Sequence, residues 1–281
     1  MNLTWPVALA VLSGALLHAG WNALVKAGSD KALDTALLNL IGGLLALPLL
    51  AAAGWPAAAA WPWLLASALV HVGYYALLAA AYRHGELSLT YPLMRGAAPL
   101  LVALASVAAF GEQLSSLSWA GVLGVSLGVL VLGGMRPGRE SGRAVTLALA
   151  NAVVIAGYTI VDGHGVRASG NAVGYVAALF LLNALPFGAL VLARRGWRPA
   201  WEHGRRRAPV AALGAAASLG AYGIALWAMT RAPVASVAAL RETSVLFAAL
   251  LASWQLQERF TPRRALGTAV ILAGIAALRL G

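Results

Sequence analysis

LSLTYPLMRGAAPLLVALASVAAFGEQ, residues 87–113, and PVASVAALRETSVLFAALLASWQLQER, residues 233–259, decide how this chain is built. Laid one over the other without a gap, they keep a constant offset of 146 positions. Arg95 then falls on Arg241 and Glu112 on Glu258. Carried onward, the same offset sets Gly121 on Gly267 and Gly128 on Gly274. Upstream, Gly20-Trp21-Asn22 lies more loosely against Gly157-Tyr158-Thr159. Self-similarity at one long period marks a duplicated architecture. Leu/Ala/Gly-rich helices resemble one another by composition alone, but composition does not align an arginine and a glutamate at one offset.

What the duplicated unit is made of follows from the solvent it needs. Of the 281 residues, 61% are hydrophobic and 10% charged, with a mean hydropathy of +0.80. A soluble domain carries about 25% charged residues. So little charge does not coat a water-soluble globule, and the chain requires an apolar solvent. Ten apolar stretches stand between turn and charge signals: 5–25, 32–53, 62–82, 87–110, 117–134, 143–161, 172–193, 208–230, 234–255 and 262–279. Each is about 18–24 residues, enough to cross roughly 30 Å of hydrocarbon as a helix. The first has no basic n-region and runs about 20 residues before Lys26, so it is expected to be a retained helix, not a cleaved signal peptide. The fold expected is an all-α polytopic membrane protein of ten transmembrane helices. It divides into a first five-helix repeat (1–134), a linker (135–142) and a second repeat (143–281).

Five is odd, so the second repeat enters the membrane from the opposite side. The halves are then related by a pseudo-two-fold axis in the membrane plane, an architecture of secondary transporters that bind substrate between the halves. Fifteen of the 20 Lys and Arg residues lie in or beside the odd-numbered connections, including Lys26, Arg83, Arg136, Arg194, Arg207 and Arg263. Only Arg167, Arg231 and Arg279 lie on the other side. The positive-inside rule puts the odd connections in the cytoplasm and both termini outside. The net charge of +11 thus serves orientation and anionic lipid headgroups, and no nucleic acid partner is expected. Eight tryptophans at span ends or in connections fit interfacial belts, leaving Trp21 and Trp227 deeper.

The chain resembles the drug/metabolite transporter superfamily, EamA type. The features that carry the resemblance are His18-Ala-Gly-Trp21-Asn22 in the first helix and Phe110-Gly-Glu112-Gln with Gly121 and Gly128. Their counterparts are Leu256-Gln-Glu258-Arg with Gly267 and Gly274. The resemblance covers essentially the whole chain. It implies ten spans in two repeats and export or import of amino acids, nucleotide sugars, phosphorylated sugars or other small metabolites. The family's usual topology puts both termini in the cytoplasm, with basic residues after span two. Here 51–61 is uncharged and 194–207 carries six arginines, and the charge bias is followed.

Ionisable groups inside spans are costly and default to functional candidates. Arg95 and Arg241 each lie about eight residues into a span, ~12 Å deep. As repeat equivalents they are expected to face each other near the pseudo-two-fold axis. Two guanidiniums converging on a cavity would bind a carboxylate or phosphate. Glu242, one residue on, is positioned to neutralise an arginine of the other half or to carry a coupling proton. His18 and Asn22 share a helix face with Trp21 beside them. Asn151, Tyr158 and Asp162 share another. His71, Tyr74 and Tyr75 lie on span three, Tyr91 one turn before Arg95, and Tyr222 and Trp227 on span eight. Turned inward, Tyr75, Tyr91, Tyr158, Tyr222 and Trp227 would give a substrate cavity aromatic walls. The plainer readings are an architectural ion-pair network for the arginines, interhelical hydrogen bonding for His18 and packing for the tyrosines. Asp162, near an expected span end, is read as a cap or a partner of Arg167. Glu112 and Glu258 are read as caps of the following helix or loop. Gly121, Gly128, Gly267 and Gly274 leave one face thin on spans five and ten, for packing within the monomer or a homodimer surface. Pro92 and Pro99 weaken span four and make it a candidate moving part.

The function expected is secondary transport, in the export direction, of small metabolites such as amino acids or organic anions across the inner (plasma) membrane by alternating access. The alternative is a membrane-embedded lipid phosphatase or transferase, which needs clustered acids, Ser/His pairs or metal ligands at depth. Only nine acids exist, so no enzyme is expected, and neither cofactor nor metal. With no GxxxxGK[ST] loop, ATP-driven pumping by this chain is not expected either.

Overall fold

In the computed structural model, residues 2–84, 87–133, 142–256 and 261–281 are described. Glu258 and all but the last residue of the 135–142 linker lie outside them, as do the side chains of Lys26, Tyr75 and Trp254. The chain forms α1 (Trp5–Lys26), α2 (Lys31–Ala53), a 3₁₀ turn (Ala58–Ala60), α3 (Trp61–His84), α4 (Leu87–Phe110) and α5 (Ser116–Gly133). The second repeat forms α6 (Gly142–Ala168), α7 (Ala172–Arg195), α8 (Trp197–Met229), α9 (Val234–Arg241), α10 (Ser244–Leu256) and α11 (Pro262–Leu280). Eight crossings are long and apolar enough to span a membrane: α1, α2, α4 to α8, and α9 with α10 as one. α3 and α11, 24 and 19 residues long with arginine at their ends, complete the ten.

Helix pairing carries the two-fold relation. α5 packs on α11, α2 on α7 and α4 on α9, each a helix against its own repeat equivalent. α1 packs on α8, and α3 on α6, which is the same contact with the halves exchanged. α4 against α6 is matched by α9 and α10 against α1. This is the packing of two inverted five-helix repeats. Large apolar side chains such as Leu44, Leu69, Val153 and Leu185 remain exposed, as a lipid-facing perimeter requires.

The glycine faces of spans five and ten meet within the monomer. A Cβ at Gly274 would stand 2.7 Å from the Val125 amide nitrogen and 2.9 Å from the Gly121 carbonyl oxygen. A Cβ at Gly128 would stand 2.9 Å from the Gly267 oxygen and 2.9 Å from the Ile271 nitrogen. Only glycine allows this backbone approach, the small-residue packing that substitutes for hydrophobic drive in lipid.

Three elements differ from the sequence reading. α6 runs to Ala168 instead of 161, because Gly163 and Gly165 are tolerated where neighbours pack close. A Cβ at Gly165 would strike Tyr175. α8 begins at Trp197 instead of 208, so most of the arginine-rich connection is helical and α8 is 33 residues long, with Trp197 stacked on Trp201 at 5.6 Å. The ninth crossing is divided at Glu242 and Thr243. There the Glu242 and Thr243 amides donate to Ala239 and Leu240, three residues back, at 3.1 Å each. The Thr243 hydroxyl also donates to the Leu240 carbonyl at 2.6 Å. Local side-chain bonding of this kind competes with the α-helical ladder and tightens the turn.

Candidate functional site

The tightened turn presents Arg241 and Glu242 at the end of α9, where α9 packs on α4. Arg95 on α4 meets Glu242 there: Arg95 Nε stands 2.7 Å from Glu242 Oε2, with both side chains 7% exposed. One Arg95 Nη2 donates to His18 Nε2 at 3.4 Å and to Ser244 Oγ at 3.5 Å. Arg95 and His18 come from the first repeat, Glu242 and Ser244 from the second, so the cluster lies across the interface of the halves. A buried charge pair of this kind is tolerated only with close geometry and further hydrogen bonds.

Arg241 is not the mirror image of Arg95. It is half-buried and its guanidinium lies over the Tyr222 ring, 5.1 Å from the centroid. Among the described residues it forms no ion pair. The expected pair of equivalent guanidiniums is therefore resolved into one arginine held by Glu242 and one held by an aromatic face. The cause is the adjacent glutamate, which exists only in the second repeat; its counterpart is Gly96. A Cβ at Gly96 would stand 2.7 Å from Leu130, so no side chain fits there as packed.

Aromatic residues gather beside this group. His71 stacks on Tyr158 at 4.5 Å, and Tyr74 meets Tyr158 edge-on at 5.9 Å. Tyr158 and Tyr91 lie within electrostatic reach of Arg95 and Glu242. The His18 and Trp21 rings meet edge-on at 5.1 Å, while the Asn22 amide donates back to the His18 carbonyl at 2.8 Å. Trp227 stands apart from the arginine pair: it lies two residues before the end of α8 and carries the Arg231 guanidinium at 5.6 Å.

Asp162 corrects the sequence reading. Because α6 continues past it, Asp162 is inside the helix and 0% exposed. Its carboxylate accepts from the Tyr175 hydroxyl at 2.9 Å and from the Tyr222 hydroxyl in a short contact, not from Arg167. Arg167 instead serves Glu112, at 3.0 Å. Glu112 also accepts from the Val234 amide at 2.8 Å and the Ala235 amide at 3.5 Å. It thus caps α9 in the opposite repeat, not the helix that follows it, as the partial positive charge of a helix N-terminus favours.

Sequence reasoning missed a second ion cluster at the other end of the bundle. Asp34, 4% exposed at the start of α2, lies 3.0 Å from His203 Nε2 and 3.0 Å from Arg207 Nε on α8. Asp34 and Arg207 were visible as charges near span ends. Their pairing depends on the helical extension of α8.

Ten crossings in two inverted halves, joined by ion pairs at both ends and in the middle, define a multi-pass membrane transporter. The chain belongs to the EamA-like transporter family, whose model matches residues 5–134 and 142–280, within the drug/metabolite transporter superfamily. The fold is similar to that of a protein of known crystal structure, described only as "protein". The two superpose with a TM-score of 0.77 at 24% identity over 98% of this chain and 96% of that one. No curated protein matches the chain.

Proposed function

We propose that the protein is a secondary transporter that exports small organic anions or zwitterions, such as amino acids, across the inner membrane by alternating access. The observation that carries this reading is Arg241. Arg95 and Glu242 together are neutral, and Arg241 is the remaining cation, half-buried, with one face on Tyr222. A carboxylate entering between the halves finds there a guanidinium fork that forms no ion pair among the described residues. Tyr158 and Tyr222 supply aromatic walls for the rest of a small substrate. The charge bias of the connections supports an orientation with both termini outside.

The test is a thermal-stability screen of detergent-purified protein against amino acids, monocarboxylates and phosphosugars, repeated with Arg241→Gln. A substrate stabilises by an amount set by its concentration relative to its Kd. A carboxylate-bearing compound is expected to stabilise the wild type and not the variant. Equal stabilisation of both would remove Arg241 from the site.

A further inference from the structure

We infer that the outer face of the first three turns of α8 binds the headgroup of an anionic phospholipid, and that the lipid held there steadies the Asp34 ion cluster on the inner face. The second half rests on the alternating-access reading, in which that cluster has to part.

The length of α8 places this segment. At 33 residues the helix is about 50 Å long, roughly 20 Å more than the hydrocarbon layer. Counted back from Met229, about 30 Å is reached near Val210, so residues 197–207 lie outside the apolar layer. They do not project far into water. Ala200 packs against the cluster of Leu33, Ala36 and Val191, and a Cβ at Gly204 would stand 3.9 Å from Leu37. The segment therefore stays level with the first two turns of α2 and the end of α7, which is the depth of the headgroups.

Its two faces differ. His203 and Arg207, one turn apart, point inward, each 3.0 Å from Asp34. Trp197, Trp201 and Arg205 recur every four residues and point outward. Trp197 is 64% and Trp201 55% exposed, and their rings stack at 5.6 Å, 21° from parallel. Two open indoles suit a boundary that is apolar on one side and wet on the other better than they suit water. Arg194, Arg198, Arg205 and Arg206 are exposed and form no ion pair among the described residues. Glu202 is the one acid between 197 and 207. Rings at headgroup depth beside unpaired guanidiniums fit a lipid phosphodiester: its anionic oxygens accept from the arginines, and its chains lie against the rings. A zwitterionic headgroup carries its own cation and competes poorly.

Both faces belong to one helix. Whatever holds Trp201 and Arg205 at the surface also holds His203 and Arg207 against Asp34. A lipid bound there favours the form closed at that end.

The probe is dansyl-labelled phosphatidylglycerol in phosphatidylcholine nanodiscs that contain the full-length protein. Energy transfer from tryptophan to dansyl reads binding, and unlabelled phosphatidylglycerol is expected to reverse it. Arg198→Gln with Arg205→Gln is expected to weaken binding about twentyfold, some fivefold for each charge near the membrane. Arg263→Gln with Arg264→Gln removes the same charge from another connection on the same side, and is expected to leave binding largely intact. A thiol at Ala211, buried beside Asp34 and Arg207, reads the coupling. Unlabelled phosphatidylglycerol is expected to slow maleimide labelling of Ala211→Cys severalfold, and not to slow it when Arg198 and Arg205 are both glutamine. Equal loss of binding in the two arginine pairs, no displacement by phosphatidylglycerol, or labelling at 211 that ignores the lipid overturns the inference. Labelling at 211 that Asp34→Ala does not speed overturns the alternating-access reading instead, a separate failure.

Discussion

Arg95 and Arg241 occupy equivalent positions in the two repeats and hold unlike partners: Glu242 at 2.7 Å for the first, the Tyr222 ring at 5.1 Å for the second. Their energetic roles diverge accordingly. Removing one partner of a buried ion pair leaves an uncompensated charge and costs about 3–5 kcal/mol. Losing a cation–π contact costs about 1 kcal/mol. Arg95→Gln is therefore expected to lower thermal stability in detergent far more than Arg241→Gln. Adding Glu242→Gln to Arg95→Gln should recover much of the loss, because neither charge is then stranded. Equal destabilisation by the two arginine variants would contradict the asymmetry.

The seam between α5 and α11 gives a cleaner packing test. At Gly274 a methyl group would meet backbone atoms of Val125 and Gly121 at 2.7 and 2.9 Å, which do not rotate away. Gly274→Ala is expected to cost about 1–3 kcal/mol, the range for overpacking. Gly20→Ala is the control, since nothing lies within 4 Å of that position. It should be neutral or slightly stabilising in the same melting assay.

The ten crossings, the inverted repeat and the thin glycine faces were legible because each leaves a linear signal: apolar length, constant offset, small residues at helical spacing. The site was legible only as a set of suspects. Glu112 looked like a local cap, yet its partners are 55 and 122 residues away at Arg167 and Val234. Asp162 looked terminal because the sixth apolar stretch was bounded at 161, and its true partners are tyrosines on α7 and α8. Helical periodicity tells which residues share a face; it does not tell which helix that face meets.

The cap formed by Glu112 has its own consequence. It satisfies the Val234 amide at an N-terminus whose cap residue, Pro233, offers no side-chain acceptor. Glu112→Ala is expected to cost about 1–2 kcal/mol, as loss of a helix cap does. Amide exchange over residues 234–237 should rise, while exchange in α5 is unchanged. Faster exchange in α5, with α9 unaffected, would mean that Glu112 caps its own neighbour.

Asp34 with Arg207 and Glu112 with Arg167 tie the two repeats at opposite ends of the bundle. Arg207 also donates to the Leu24 carbonyl at 3.2 Å, so one side chain joins the end of α1, the start of α2 and α8. Alternating access requires these ends to part in turn, and weakening one tie shifts the population toward the form open at that end. Asp34→Ala should cost roughly 2 kcal/mol, less than a fully buried pair, because Arg207 keeps contact with water. That is enough to change a two-state ratio by more than tenfold. The chain has no cysteine, so a single introduced thiol reports alone. Ala211→Cys sits beside Asp34 and Arg207, and Ala232→Cys beside Arg167, both buried. Asp34→Ala is expected to speed maleimide labelling at 211 and slow it at 232. Glu112→Ala should do the reverse. Labelling that rises at both ends in either variant would indicate general loosening, and the reciprocal gating would be wrong.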